Sequence, residues 1–114
     1  MLSTHEYPWE VTPEKVEAAV RKIIETSRPV RVILFGSYVR GETNVNSDLD
    51  VLVIASDEIG NPRKESVRIR RALRGISMPM DILAVPLSKW EELKDAPGLV
   101  YREASLGGRV VYES

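Results

Sequence analysis

The sequence of 114 residues contains no cysteine and only one histidine. The absence of cysteine excludes disulfide bonds and thiolate metal sites, and it removes any indication of secretion. No apolar run approaches the roughly 20 residues that span a bilayer, and the N-terminal residues MLSTHEYPWEV lack the basic and apolar regions of a signal peptide. We therefore expect a cytoplasmic protein with no membrane contact. The single histidine, His5, lies near the terminus and is given no catalytic role.

The sequence also lacks an excess of positive charge. Sixteen Lys and Arg residues face 17 Asp and Glu residues, so the net charge of -1 provides no overall basic field for holding nucleic acid. The hydrophobic share of 43% and the charged share of 29% are typical of a globular protein. The length predicts one domain, residues 1–114, with no room for a separate substrate domain. We expect a substrate that is small or is presented by another chain.

Apolar periodicity along the chain switches between the helical and the extended patterns. Thr12-Pro13-Glu14 predicts the start of a helix, and apolar residues at helical spacing continue it to Arg28-Pro29. Short runs rich in β-branched residues predict buried strands at 30–35, 49–55 and 80–85. Further helices are predicted over 62–76, within 86–93 and over 98–106, before a last apolar piece at 110–112.

Polar residues interrupt the first two strands within the stretch VILFGSYVRGETNVNSDLDVLVI, residues 32–54. Gly36 allows close approach of a ligand to the backbone, and Ser37 adds a hydroxyl where a helical turn with free N–H groups begins. Asp48 and Asp50 project together from the start of the second strand, because residues two apart share a face. Neighbouring carboxylates repel unless a cation lies between them, and Mg²⁺ prefers carboxylates, water and substrate phosphates. The pattern predicts one site for phosphates and metal.

Asp81 adds a third carboxylate, in the strand predicted at 80–85. A charge inside an apolar strand is costly unless it is paired or metal-bound. If this strand lies beside the second, Asp81 can join the aspartate pair, hold one of two metal ions and accept a proton from an attacking hydroxyl. In-line displacement at phosphorus needs little beyond positioned reactants and cations near the developing charge. The structural alternative is a salt bridge to a nearby arginine.

At these residues the sequence resembles the nucleotidyltransferases of the DNA polymerase beta superfamily, and most of all their minimal branch, the MNT-type domains. The family pattern is Gly-Ser, often followed by Ala-Arg-Gly, then Ser-Asp-x-Asp, then an aspartate on a separate strand. The matching residues are Gly36, Ser37, Arg40, Gly41, Ser47, Asp48, Asp50 and Asp81. The close match covers residues 30–55 and 79–85, and Val39 replaces the commoner small residue.

The resemblance implies an α/β (α+β) nucleotidyltransferase fold, with a small mixed, mainly antiparallel sheet and helices packed against it. It implies transfer of a nucleoside monophosphate, AMP from ATP in the first instance, to a hydroxyl with release of pyrophosphate. In this family pattern the catalytic and metal-binding residues, for two Mg²⁺ ions, are Asp48, Asp50 and Asp81. The nucleotide-binding residues are Gly36, Ser37 and Arg40.

The resemblance also implies a partner. Minimal members of the family are often encoded beside a small helical HEPN-type protein, and the pair can act as toxin and antitoxin, with the transferase modifying the toxin. The expected function is therefore that of an antitoxin whose acceptor lies on the partner, and a homo-oligomer is compatible with the sequence. Two alternatives stay open. One is an antitoxin that binds nucleotide or partner without turnover, and the other is transfer to a small molecule such as an antibiotic.

Several of these residues have a purely structural interpretation as well. Gly36 and Ser37 can form an ordinary strand-to-helix turn. Asp48 can cap a turn together with Ser47, although a cap needs one carboxylate and not two on one face. Arg40 can contact phosphates or be a solvated side chain. The basic residues of the third helix predict a solvated face, with a contact surface for RNA or an acidic partner as the alternative. That set comprises Arg63, Lys64, Arg68, Arg70, Arg71 and Arg74.

The two tryptophans can be core residues, subunit contacts or platforms for stacking bases. Trp9 and Trp90 are interpreted as core or subunit contacts rather than as platforms for stacking bases, because neither is interleaved with basic residues.

Overall fold

The helices and strands follow one another in the order that the apolar periodicity predicts. The computed structural model describes residues 7–114, so His5 lies outside the described residues. The helices are α1 (Pro13–Ser27), α2 (Ser37–Arg40), α3 (Pro62–Ala72), α4 (Leu87–Leu93) and α5 (Val100–Gly107). The strands are β1 (Arg31–Phe35), β2 (Leu49–Ala55), β3 (Met80–Pro86) and β4 (Arg109–Glu113). A 3₁₀ turn at Asp57–Ile59, which the sequence pattern did not predict, follows β2.

The helix boundaries follow from capping groups in the sequence. Thr12 precedes α1, and its Oγ1 accepts a hydrogen bond from the backbone N–H of Lys15 at 3.2 Å. Asn61 caps α3 in the same way, since its Oδ1 accepts from two backbone N–H groups of the first turn. The predicted extension of α3 to residue 76 is wrong. The chain turns after Ala72, and the N–H of Ile76 donates to the Leu73 carbonyl at 3.0 Å.

The four strands form one sheet in the order β3-β2-β1-β4. Strand β1 pairs antiparallel with β2 and with β4, whereas β2 and β3 are parallel. The predicted mixed, mainly antiparallel sheet is therefore confirmed. Because β1 runs against β2 and β3 runs with it, the end of β1 and the starts of β2 and β3 meet at one edge of the sheet. We call this the carboxylate edge, since it carries Asp50 and Asp81.

Helices cover both faces of the sheet. Helices α1 and α3 pack on one face against alternate strand residues, and α4 and α5 pack on the other. The first core includes Val16, Ala19, Ile23, Ile69, Val32, Leu34, Val51 and Val53. The second includes Ile33, Phe35, Leu52, Ile54, Val85, Trp90 and Ala104. Strand β2 lies between β1 and β3, and each of its residues except Asp50 is buried. Asp50, a predicted site residue, therefore lies on the most buried strand.

Two surface features qualify the sequence predictions. The six basic residues of the α3 segment are all exposed, as predicted for a solvated face. The interpretation of the tryptophans holds for Trp90, which is 3% exposed, and the core interpretation is wrong for Trp9, which is 44% exposed.

No helix in residues 7–114 combines the length and the apolar character that crossing a membrane requires.

Candidate active site

The carboxylate edge places two of the three predicted aspartates directly opposite each other. In the parallel register of β2 and β3, Asp50 pairs with Asp81. Parallel partners point to the same face of the sheet, so the two side chains are neighbours. This juxtaposition depends on α3, which returns the chain to the same edge between β2 and β3.

Gly36 lies against Asp50 from the other neighbouring strand. Phe35, the last residue of β1, pairs with Asp50, and Gly36 follows it with φ 80° and ψ -157°. L-residues with a side chain rarely adopt that backbone conformation. A Cβ atom added to Gly36 would also overlap Oδ2 of Asp50. Glycine is therefore required here twice, for its backbone conformation and for the close approach of a carboxylate.

The electrostatic environment of Asp50 links the predicted site residues. Its partial burial raises the pKa of the carboxyl group most, and the negative charges of Asp81 and Asp48 raise it further. Glu103 of α5 acts in the same direction, whereas Arg40 opposes it. The raised pKa means that ionisation of Asp50 is less favourable than that of an ordinary aspartate when no cation is near.

Asp48 precedes β2 at the end of a polar turn. The N–H of Asn44 donates to Ser47 Oγ at 2.8 Å, and the N–H of Asn46 donates to Asn44 Oδ1 at 2.8 Å. These residues stabilise the turn, and in the described part of the chain no hydrogen bond from the turn goes to the Asp48 carboxylate. The capping interpretation thus fits Asn44 and Ser47, and it leaves the exposed Asp48 side chain available for a ligand.

Asp81 lies beside Asp50, because the condition for this placement, the pairing of β2 with β3, is met. Its environment differs from the prediction. The expectation of a buried charge at this position is wrong, because the Asp81 side chain is 70% exposed. Nη2 of Arg70 also donates to Asp81 Oδ1 at 3.3 Å and to the Ile82 carbonyl at 3.2 Å. The proximity to Asp50 and the salt bridge to an arginine therefore coexist. An exposed ion pair of this kind contributes about 0–1 kcal/mol.

Arg40 forms salt bridges with two glutamates. Its Nε donates to Glu42 Oε1 at 2.7 Å, and its Nη1 donates to Glu103 Oε1 at 3.3 Å. The Glu42 hydrogen bond is the main reason that the pKa of Arg40 is raised. Sequence reasoning missed Glu103, because only the tertiary packing of α5 brings this residue to the edge. Nothing in the local sequence distinguishes it from the other acidic residues of the chain.

Ser37 begins α2, which is a single turn. The N–H of Arg40 donates to the Gly36 carbonyl at 3.2 Å, and the N–H of Glu42 donates to the Ser37 carbonyl at 2.9 Å. Gly41 ends the turn in the left-handed conformation, at φ 73°. The predicted helical turn after β1 is present, and it is too short for a substantial helix dipole. Any role of Ser37 thus rests on its hydroxyl and on local backbone N–H groups.

The donor set at the edge matches a hard cation in chemical type. Asp48, Asp50 and Asp81 offer only carboxylate oxygens, which Mg²⁺ accepts. The raised pKa of Asp50 reflects in part a repulsion that a cation would relieve. Among residues 7–114, however, no three acidic or histidine side chains stand close enough together to hold one metal ion as they are placed. The residues fit Mg²⁺, and their side chains must rotate to converge on it.

Comparison with known proteins decides the family. A family model of the nucleotidyltransferase domain matches residues 14–102, which is most of the chain and includes the carboxylate edge. The protein belongs to the nucleotidyltransferase family. The resemblance drawn from the Gly-Ser and Asp-x-Asp patterns is therefore confirmed.

Individual relatives agree with this membership. A protein of Methanocaldococcus jannaschii, named "putative protein adenylyltransferase", is 40% identical over 57 residues, which cover 50% of this chain and 56% of the relative. The matched part thus spans little more than half of that relative. This nucleotidyltransferase domain also shares its fold with solved structures.

Two of these structures illustrate the shared fold. One is a toxin-antitoxin complex with AMP-PNP, which matches with a TM-score of 0.56 and 22% identity over 86% of this chain and 73% of that chain. The other is a "putative nucleotidyltransferase" from Sulfolobus solfataricus, with a TM-score of 0.56 and 20% identity over 88% of this chain and 78% of that chain.

Proposed function

We propose that this protein transfers AMP from ATP to a hydroxyl group of a partner protein, with release of pyrophosphate, as the antitoxin of a HEPN/MNT-type pair. The observation that carries the proposal is the pairing of Asp50 with Asp81 across β2 and β3, with Gly36 pressed against Asp50. A fold that only needed a stable sheet would gain nothing from two adjacent carboxylates at this edge.

The residues divide into two roles. Asp48, Asp50 and Asp81 hold Mg²⁺, and the bound cations would neutralise charge on the triphosphate. Gly36 allows the phosphates to approach the backbone, and the Ser37 hydroxyl donates to a phosphate oxygen. Arg40 can bind a phosphate once one of its two exposed salt bridges, to Glu42 or to Glu103, breaks.

The reaction is a displacement at phosphorus. The acceptor oxygen bonds to the α-phosphorus of ATP while the bond from that phosphorus to the bridging oxygen breaks, and pyrophosphate leaves with the bonding electrons. The proton of the acceptor hydroxyl passes to the Asp81 carboxylate. The exposure of Asp81 supports this role for a large acceptor, since a side chain that is 70% exposed can be reached by a residue of another protein.

A protein acceptor is supported by the comparisons. The Methanocaldococcus jannaschii relative, which aligns over 57 residues, is named a putative protein adenylyltransferase. One structure with the same fold is a toxin-antitoxin complex with an ATP analogue. The HEPN character of the partner comes from the family resemblance of the Gly-Ser and Asp-x-Asp motifs.

The test is a transfer assay with the protein encoded by the neighbouring reading frame. We expect the label from ATP radiolabelled at the α-phosphorus to appear on that protein, and the label from the γ-phosphorus to be absent from it. Asp50→Asn should abolish transfer. Asp57→Asn is the matched control, because Asp57 lies beyond the opposite end of β2 and asparagine keeps the oxygen that accepts from the Ser88 N–H. Transfer of the γ-label, or equal activity of Asp50→Asn, would contradict the proposal.

A second candidate function is binding of nucleotide or partner without turnover. The observation that favours it is that the carboxylates do not converge and that Arg70 holds Asp81. Calorimetric binding of ATP with no pyrophosphate release, both alone and with the partner, would support this candidate. Rapid transfer to an aminoglycoside with no second protein present would contradict both candidates.

A further inference from the structure

Trp9 contacts the turn that carries Asp48. Its indole Nε1 donates to the Val45 carbonyl at 3.0 Å, across 36 positions of sequence. The ring packs beside Tyr7, with centroids 4.9 Å apart and an angle of 43° between the planes. Both rings are almost half exposed, so this pair is not part of either core. The described contact thus connects the segment before α1 to the turn that leads into the site.

Lys15 connects the same segment to the chain that leads into β3. Its Nζ donates to the carbonyl groups of Pro8 at 2.6 Å, Glu10 at 2.8 Å and Ser77 at 2.8 Å. An ammonium group has three donors, and here all three are used by backbone carbonyls from two segments. The Thr12 cap holds the backbone of Lys15 in the first turn of α1, which fixes the base of the side chain.

A backbone hydrogen bond completes the connection. The N–H of Leu49 donates to the Pro79 carbonyl at 2.9 Å. Leu49 lies between Asp48 and Asp50, and Pro79 lies two residues before Asp81. The segment 77–79 is therefore bonded to Lys15 on one side and to the start of β2 on the other. Together with the Trp9 contact, these bonds link three segments to one another: the segment before α1, the turn before Asp48 and the segment 77–79 before Asp81.

We propose that Trp9 and Lys15 are positioning residues, which hold the segments carrying Asp48 and Asp81 in the arrangement that binds magnesium and nucleoside triphosphate. This inference rests on the proposed function. Neither side chain has to reach the ligand. Trp9 restrains the turn before Asp48, and Lys15 restrains the segment before Asp81, so that fewer conformations must be given up when the carboxylates converge on a cation.

Two conservative variants test the proposal. Trp9→Phe keeps an aromatic ring beside Tyr7 and removes the N–H donor. Lys15→Met keeps the apolar stem and removes the ammonium group. The controls are Trp90→Phe, which alters a buried indole whose N–H has no partner in the described structure, and Lys22→Met, which alters an exposed residue of α1.

The first measurement is calorimetric titration of the full chain with Mg²⁺ and α,β-methylene-ATP, an analogue in which the reactive bond cannot break. We expect affinity to fall about threefold to tenfold in Trp9→Phe and about tenfold or more in Lys15→Met, because the second change releases three restraining hydrogen bonds and the first releases one. The two control variants should bind as the parent does, whatever melting temperature Trp90→Phe shows.

The second measurement is hydrogen-deuterium exchange of the ligand-free protein, which does not depend on nucleotide binding. Amides of residues 44–50 should exchange faster in both variants, and those of 77–82 should exchange faster in Lys15→Met. Parent-like affinity in both variants would overturn the inference, whether or not exchange accelerates, because the contacts would then be merely structural. If the parent showed magnesium-dependent binding in that case, the proposed function would survive. Absence of such binding in the parent would overturn the proposed function and this inference with it.

Discussion

At Asp50 the stability of the ligand-free fold and the proposed binding of magnesium oppose each other. Partial burial and the neighbouring charges of Asp81 and Asp48 raise its pKa in the folded state. A carboxyl group with a raised folded pKa stabilises the fold at pH values below its unfolded pKa, and this contribution is lost as pH rises through the folded pKa. At neutral pH the ionised Asp50 therefore destabilises the ligand-free protein, as charged groups at functional sites commonly do.

Neutralising this charge should stabilise the ligand-free protein. We expect Asp50→Asn to raise the melting temperature by a few degrees at neutral pH. In a small domain, a change of about 1 kcal/mol in the free energy of unfolding shifts the melting temperature by roughly 4–8 °C. The difference should shrink as pH falls through the raised pKa of Asp50, because the parent carboxyl is then protonated as well. Thermal scans from neutral to acidic pH measure this. A lower melting temperature of Asp50→Asn at neutral pH would show that the charge is stabilised within the fold.

Gly36 offers a test of the close contact with Asp50. Gly36→Ala should destabilise the fold by about 1–3 kcal/mol because of strained backbone, and it should abolish stabilisation by Mg²⁺ and α,β-methylene-ATP because the new Cβ displaces the carboxylate. Gly60→Ala is the matched control. Gly60 also has a positive φ, of 77°, but an added Cβ would meet nothing within 4 Å. A full ligand response of Gly36→Ala in thermal scans would contradict the geometry given for the site.

At the scale of elements, a buried carboxylate joins α1 to α3. Glu65 is 8% exposed and accepts a hydrogen bond from the Ser27 hydroxyl at 2.7 Å. Arg68 donates to the same carboxylate through two nitrogen atoms, at 2.9 and 2.8 Å. The Arg68 hydrogen bonds are the main cause of the lowered pKa of Glu65. This link stabilises the packing of α3, which sets the position of β3 and hence of Asp81.

Removing that charge should destabilise the protein. We expect Glu65→Gln to lower the free energy of unfolding by about 1–3 kcal/mol at neutral pH, as for hydrogen bonds to a charged group. Because the folded pKa is lowered, the contribution is present above the unfolded pKa and is lost as pH falls through the folded pKa. Chemical denaturation at neutral and acidic pH measures both effects. Glu91→Gln, which removes an exposed pair with Lys94, should leave stability nearly unchanged.

The elements also show how far the sequence predicts this molecule. The buried strands and capped helices could be predicted, because β-branched runs and capping residues act locally. One short stretch predicted that Gly36 and Asp50 belong to one site, but it assigned the close approach at Gly36 to a ligand, whereas the structure places the Asp50 carboxylate there. The placement of Asp81 was conditional on the pairing of β2 with β3, and its exposure was not predicted. Glu103 reaches the carboxylate edge, and Trp9 reaches the turn before Asp48, only through tertiary packing, which no local pattern encodes.

At the scale of the whole molecule, the net charge of -1 conceals a separation of charge. Acidic side chains gather at the carboxylate edge, while the α3 segment exposes its basic residues to solvent. A nucleoside triphosphate is itself an anion, so this edge repels it unless cations are bound between them. We therefore expect nucleotide and magnesium to bind together, and we expect each aspartate of the edge to contribute to this binding.

Asp81 provides the most direct test of this central claim, because a salt bridge to Arg70 is its structural alternative. The measurement is a set of thermal scans of the parent, Asp81→Asn and Arg70→Met, with and without Mg²⁺ and α,β-methylene-ATP. We predict that Asp81→Asn melts at or slightly above the parent without ligand, since the exposed pair is worth about 0–1 kcal/mol and the repulsion with Asp50 is relieved. It should lose most of the stabilisation by ligand, which Arg70→Met should retain. If Asp81→Asn instead melts lower and still responds fully to ligand, Asp81 is structural and the three-carboxylate site is wrong.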